Sequence, residues 1–252
     1  CNPKLVVIQL GNNKASNVYV NNKVKACEEV GITSNVIKFS ENIREDFLIS
    51  FIYDLNKRSD VNGILVQLPL PNHIDEKKVL ESITPSKDVD GFHFENSGKL
   101  FNGLDSLIPC TPAGIVEILK HYNIPLEGKH CVVIGRSNIV GKPISMILLQ
   151  ENSTITICHS KTTNLEQITN MADILIVAIG KEKFINSKHV KEGTVVVDVG
   201  INRTEKDLCG DVDFDSVVDK VSAITPVPGG VGPMTVAMLM KNTLKAFKIQ
   251  SI

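Results

Sequence analysis

Three sets of side chains in this 252-residue chain are of types and spacings that could do chemistry. Tyr19 and Lys23 lie four apart in a stretch of helical pattern, SNVYVNNKVKACEEVGI, and so share one helix face. A tyrosine ring can stack on a flat heterocycle. An amine held in a partly dry cleft can take and give protons near neutral pH. Gln67 stands near the end of the apolar run VNGILVQL, and open α/β sheets bind ligands at the carboxyl edge of their strands. An amide there can meet the lysine amine or a substrate amide. Asp88 and Asp90 fall in KDVDG, and a carboxylate can accept the paired N–H groups of an aminopyrimidine ring. Each feature also has a plainer reading: a surface helix pair, a satisfied buried amide, caps on turns.

A second constellation points to a dinucleotide. The segment HCVVIGRSNIVGKP is a buried strand running into Gly135, with Gly141 opening the next helix, where a dinucleotide-binding fold places its phosphate turn. It departs from GxGxxG, since Ser137 stands at the second glycine position, so the turn alone is a weak signal. The following strand ends in CHSKT. Ser160, with His159 and Lys161 beside it, occupies the region where an NAD site carries Asp or Glu for the ribose hydroxyls. A hydroxyl and cations there, with Arg136 in the turn, favour a 2′-phosphate and hence NADP. A solvated loop is the alternative.

Alternating strand and helix patterns must position these groups, which predicts an α/β fold of two lobes. The first lobe reads as strands at 4–10, 35–39 and 61–68, with helices at 15–30, 43–57 and 75–83. A Gly-, Pro-, Asp- and Asn-rich loop follows at 84–109. The pattern restarts with Thr111 as helix N-cap and Pro112 at the first helical position, the helix running to 122. Strands then follow at 130–134, 154–158, 174–179, 194–199 and 221–224, with a helix at 143–151. The loop TPVPGGVGP leads into a last helix at 234–247. The expected division is a catalytic lobe at 1–110, completed by the C-terminal helix (233–252), and a Rossmann-like lobe with parallel sheet at 111–232. Lys and Arg (27) nearly balance Asp and Glu (28), which gives no footprint for nucleic acid or an anionic membrane. No apolar run approaches the roughly 20 residues that span a bilayer. The six cysteines form no CxxC pair or metal-ligand spacing, so reduced thiols and no metal are expected. The chain begins with Cys1, which reads as a trimmed polypeptide. Cytoplasm is the expected location, with an organelle left open.

The order of these segments resembles the bifunctional methylenetetrahydrofolate dehydrogenase/methenyltetrahydrofolate cyclohydrolase family. GILVQLPLP, KDVDGF, PCTPAGIVEIL, VVIGRSNIVGKP, CHSKT, VVVDVGIN and ITPVPGGVGPMTVAMLM carry the resemblance with the Tyr19/Lys23 helix. It implies NADP-linked oxidation of 5,10-methylenetetrahydrofolate, then hydrolysis to 10-formyltetrahydrofolate, in a homodimer formed through the second lobe. Lys23 would serve the cyclohydrolase step with Gln67 adjusting its protonation, Tyr19 would stack on folate, and Asp90 would grip its pterin-like end. Val66, Gln67, Leu68 and Pro228, Gly229, Gly230, Val231 and Gly232 would line the folate cleft. Gly135, Arg136, Ser137, Ser160 and Ile201 would hold NADP, with Thr111 and Thr235 towards the nicotinamide. Family members carry a further N-terminal helix that is missing here. A two-lobe dehydrogenase of a small hydroxy or amino acid fits the fold pattern equally well, but has no need of Tyr19/Lys23, KDVDG and PGGVGP together.

Overall fold

The computed structural model describes residues 2–203 and 208–251. Cys1, one of the thiols expected to be reduced, lies outside the described residues; Cys27, Cys110, Cys131, Cys158 and Cys209 are free. The chain divides into two compact units, Cys1–Cys110 with Val236–Ile252, and Thr111–Thr235. Among the described residues no helix is long and apolar enough to cross a membrane.

The first unit runs β1 (Lys4–Leu10), α1 (Lys14–Glu29), β2 (Thr33–Phe39), α2 (Glu45–Lys57), β3 (Gly63–Val66), α3 (Glu76–Glu81) and α4 (Phe94–Phe101). Its sheet is parallel in the order β2-β1-β3. The central position of β1 explains the apolar run at its centre, Leu5 to Ile8, because a strand flanked and covered on both faces has no solvent side. Edge strand β2 is partly exposed instead. On α2, Leu48, Ile52 and Leu55 recur at helical spacing and pack with Val6, Ile8, Ile64 and Val66. The expected strand 61–68 is shorter, Gly63–Val66; Gln67 N–H makes the last bond to β1, and Pro69 has no N–H with which to continue the ladder. The expected long loop 84–109 contains α4, which was too short and too glycine-bearing to read as a helix. It is capped by His93, whose Nδ1 accepts from Glu95 N–H at 3.1 Å.

The second unit contains α5 (Cys110–His121, its first residue belonging to the first unit), β4 (His130–Ile134), α6 (Gly141–Gln150), β5 (Thr154–Cys158), α7 (Leu165–Thr169), β6 (Ile174–Val177) and β7 (Val195–Asp198). A short hairpin, β8 (Asn202–Arg203) and β9 (Leu208–Cys209), precedes α8 (Phe214–Val217), β10 (Ala223–Ile224) and α9 (Val231–Gln250), whose later residues belong to the first unit. The sheet is parallel throughout, in the order β10-β7-β6-β4-β5, an arrangement of the Rossmann type. Three expectations change. Thr111 is not the N-cap but lies inside the first turn of α5, which begins at Cys110. Strand 174–179 stops at Val177, because the N–H groups of Ile179, Gly180 and Lys181 turn to the Asp211 carboxylate. The last helix starts at Val231, inside the segment read as loop. Pro233 is tolerated there because first-turn N–H groups have no helical partner to lose.

Two glycines shape the turn after β4. Gly135 has φ +125°, and a Cβ there would lie 2.2 Å from Ala178 O; a Cβ on Gly141 would lie 2.3 Å from Gly135 O. Strand end, helix start and the neighbouring loop therefore cross at backbone contact. Gly135→Ala is expected to lower stability by about 2 kcal/mol or more, from strain plus overlap. Gly128→Ala, at φ +71° with open space around it, should cost less. Paired thermal melts check this; equal losses would refute the steric account.

Candidate active site

In the first unit the parallel sheet brings two connections to one edge. Ile8 of β1 lies in register with Val66 of β3, so the start of α1 and residue 67 leave the sheet side by side. Gln67 N–H still donates to Ile8 O at 2.8 Å, which anchors its backbone. Its side chain is oriented at both ends: Nε2 donates to Leu68 O at 2.7 Å, and Oε1 accepts from Lys23 Nζ at 3.0 Å. Tyr19, one turn earlier on α1, is half-buried like Lys23. Val66 is buried on β3 and Leu68 is half-buried.

Asp88 and Asp90, alike in sequence, have different surroundings. The Asp88 carboxylate is buried and accepts from His93 N–H at 2.8 Å and Asn96 Nδ2 at 3.0 Å, so it closes the loop on itself. Asp90 is partly exposed and lies within electrostatic reach of Lys23. Burial pushes its carboxyl up to about 6, against the pull of the Lys23 charge and with a smaller push from Asp88. The loop carrying it is held from all sides. Lys87 Nζ donates to Asn56 O at 2.8 Å and Arg58 O at 2.7 Å, capping α2. Asn242 Nδ2 donates to Val89 O at 2.9 Å and to Ile108 O at 2.7 Å, and Cys110 Sγ to Val89 O at 3.3 Å. Gly91, at φ +74°, leaves no room for a Cβ against the 107–109 backbone. Sequence reasoning singled out the two aspartates but not Lys87, Asn242 or Cys110. The only trace of their role is the lysine opening KDVDG.

In the second unit, Ile134 pairs with Cys158 and Gly135 N–H donates to Cys158 O at 2.9 Å, so the turn after β4 lies beside the CHSKT loop. Ser137 is no glycine substitute: its Oγ accepts from Val140 and Gly141 N–H at 3.2 and 3.3 Å and caps the entry to α6. Arg136 and Ser160 are both exposed near this crossing. Gly135 with no room for a side chain, the positive end of the α6 dipole, whose first N–H groups Ser137 holds, and a cation with a hydroxyl form surroundings that fit a dinucleotide with its phosphates. Ile201 stands in the loop after β7, 45% exposed. The Thr111 and Thr235 hydroxyls lie 3.0 Å apart, and Gly114 packs on Met234. Pro228 and Gly229 are exposed, Val231 is buried, and Gly229 and Gly230 border a cleft of about 960 Å³ with Thr225, Pro226 and Met234.

Comparison with known proteins agrees with this division. Residues 1–90 match the tetrahydrofolate dehydrogenase/cyclohydrolase catalytic domain and residues 109–251 match the NAD(P)-binding domain of the same family. The bifunctional protein FolD of Agathobacter rectalis is 60% identical over 245 residues, 97% of this chain and 88% of that protein. A crystal structure of the bifunctional FolD methylenetetrahydrofolate dehydrogenase/cyclohydrolase from Campylobacter jejuni superposes with a TM-score of 0.96 at 53% identity, covering 98% of this chain and 89% of that one. The Trypanosoma brucei enzyme, solved with NADP cofactor and an inhibitor, gives 0.94 at 36% identity, covering 99% and 88%. With both domains matched in one polypeptide, the chain belongs to the tetrahydrofolate dehydrogenase/cyclohydrolase family.

Proposed function

We propose that this chain oxidises 5,10-methylenetetrahydrofolate to the 5,10-methenyl cation with NADP⁺ and hydrolyses that cation to 10-formyltetrahydrofolate, with Lys23 handling the protons of the second step. The observation that carries this reading is the Lys23 amine held at 3.0 Å on the Gln67 amide oxygen with Asp90 beside it. A carboxylate in place of Gln67 would favour the ammonium form of its partner; an amide orients an amine without that bias. As water adds to the methenyl carbon and the ring opens, a proton must leave the water and another must reach the departing nitrogen. A single positioned amine can serve both transfers. Tyr19 supplies a stacking face, Asp90 accepts from the pterin N–H groups, and Val66, Leu68 and the segment 228–232 complete the folate contacts. NADP⁺, when bound, supplies the hydride acceptor for the first step. Gly135, Ser137 and the start of α6 receive its phosphates, Arg136 and Ser160 its 2′-phosphate, and Ile201, Thr111 and Thr235 the nicotinamide end. Support for NADP over NAD comes from the exposed Arg136 and Ser160, where no carboxylate stands to hold ribose hydroxyls, and from the NADP complex of the trypanosomal relative.

The test follows absorbance with methylenetetrahydrofolate and NADP⁺ or NAD⁺, and separately the decay of methenyltetrahydrofolate alone. Turnover with NADP⁺ and accelerated decay are expected. Lys23→Met should cut the decay rate by about 100-fold or more, the usual worth of a general acid–base group, and slow the dehydrogenase far less. Equal loss of both in a folded variant would defeat this division of roles.

Arg136→Ala is expected to raise the KM for NADP⁺ about tenfold while leaving that for NAD⁺ nearly unchanged, as loss of one charge-assisted hydrogen bond would. A parallel rise for both cofactors would remove Arg136 from the 2′-phosphate.

Because the Asp90 carboxyl is raised to about 6, it is ionised above that pH and protonated below it. Folate kcat/KM should therefore fall as pH drops through about 6. Asp90→Asn should lower kcat/KM and remove this limb; its persistence in the variant would assign it to another group.

A further inference from the structure

The second unit contains two buried carboxylates to which the reaction gives no part. Asp211 is wholly buried and Asp198 is 3% exposed. They interlock. Asp198 Oδ1 accepts from Gly200 N–H at 3.1 Å and from Asp211 N–H at 3.0 Å, and its Oδ2 accepts from Val212 N–H at 2.9 Å. Asp211 Oδ2 accepts from Ile179 and Gly180 N–H at 2.7 and 3.0 Å, and its Oδ1 from Lys181 N–H at 2.8 Å and Asn202 Nδ2 at 2.9 Å. Each carboxylate rests against a glycine of the opposite segment. A Cβ on Gly200 would lie 2.1 Å from Asp211 Oδ1, and one on Gly210 would lie 1.8 Å from Asp198 Oδ2. In sequence this is Asp198-Val-Gly200 set against Gly210-Asp211, closing the base of the β8–β9 hairpin.

The place of this clasp gives it meaning beyond packing. It joins the loops after β6 and β7 at the carboxyl edge of the sheet, where parallel α/β sheets bind their ligands. Ala178, on whose carbonyl Gly135 is pressed, directly precedes the three N–H groups that Asp211 holds. Ile201 directly follows Gly200 and keeps an apolar side chain 45% exposed, on a loop fixed from both ends by Asp198 and by Asn202. Three successive N–H groups converging on one point form a nest that attracts anions. Asp211 fills that nest from within the chain, which leaves the turn after β4 as the place for phosphates.

We propose that Asp211, set in place by Asp198, is a positioning residue for the dinucleotide: it fixes the loop carrying Ile201 and the loop supporting Gly135 in the arrangement that receives the cofactor. This rests on the reading that the second unit holds NADP.

The test uses the full chain with Asp211→Asn, and with Asn202→Ala as a milder change that removes one of the four donors. NADP⁺ binding is measured by calorimetry, and cyclohydrolase turnover is measured at saturating methenyltetrahydrofolate. Asp211→Asn should weaken NADP⁺ binding about tenfold and Asn202→Ala about threefold, the scale of one or more lost hydrogen bonds. Cyclohydrolase turnover should stay within about twofold for both, a balance that general destabilisation would not leave. Ile201→Ala should weaken binding in the parent chain but add little on top of Asp211→Asn, since the Ile201 contact is one of those that Asp211 holds in place. Unchanged NADP⁺ affinity in both variants, full additivity with Ile201→Ala, or cyclohydrolase loss in step with affinity would each overturn the proposal. Should Asp211→Asn not fold, Asn202→Ala decides alone. Absence of NADP⁺ binding to the parent chain would instead overturn the cofactor reading on which the proposal stands.

Discussion

A charge taken out of water must be met by dipoles, and this constraint organises both units. Lys87 is buried and its amine is met by the carbonyls that end α2, groups a helix leaves without partners. Asp88 is met by a backbone N–H and an asparagine amide, and Asp198 and Asp211 by seven donors between them. Leaving any of these carboxylates unmatched would cost several kcal/mol, roughly the scale of a domain's net stability. A charge satisfied in this way fixes the segments that satisfy it. Asp198 closes β7, and the other groups lie outside the named strands, where loops must keep their shape.

Glycine does the complementary work. Gly135 and Gly141 let a strand end, a helix start and a loop meet at backbone contact, and Gly200 and Gly210 clear the space that two carboxylates occupy. In both cases side-chain volume is absent because something else, a carbonyl or a carboxylate, already stands there. The turn after β4 and the clasp are two uses of one device at the same sheet edge.

Much of this was legible in the sequence, and what was not has physical reasons. Largely apolar runs such as KLVVIQL and HCVVI read as buried parallel strands because the residues at their centres have no need of water, and they are β1 and β4 to the residue. The strands end earlier than their apolar composition suggests: Leu68 extends the first run past the last sheet bond, made by Gln67 N–H, and Ile179 extends the second while its N–H turns to Asp211. Helix α4 was missed since its cap is a histidine rather than the usual short polar residue, and the start of α9 because Gly232 and Pro233 signal a turn in most contexts. Tyr19, Lys23, Gln67 and Asp90 stood out by type and spacing. Lys87, Asn242, Asp198 and Asp211 did not, because their partners are mostly backbone groups, and backbone groups leave no mark in a sequence.

The contrast between Asp88 and Asp90 shows how one loop separates support from chemistry. The two residues are of one type, two apart, with only Val89 between them. Asp88 faces inwards and its charge is spent on His93 and Asn96, which holds the loop. Asp90 lies within electrostatic reach of Lys23; burial makes its ionisation harder, and the Lys23 charge offsets only part of that cost. A carboxylate kept partly desolvated and only partly compensated gains most from a ligand that brings its own N–H donors, because that ligand supplies what the protein withholds. The support at Asp88, Lys87 and Val89 keeps Asp90 from relaxing towards other partners. Within a frame of satisfied charges, Asp90 is thus left with one that is only partly compensated.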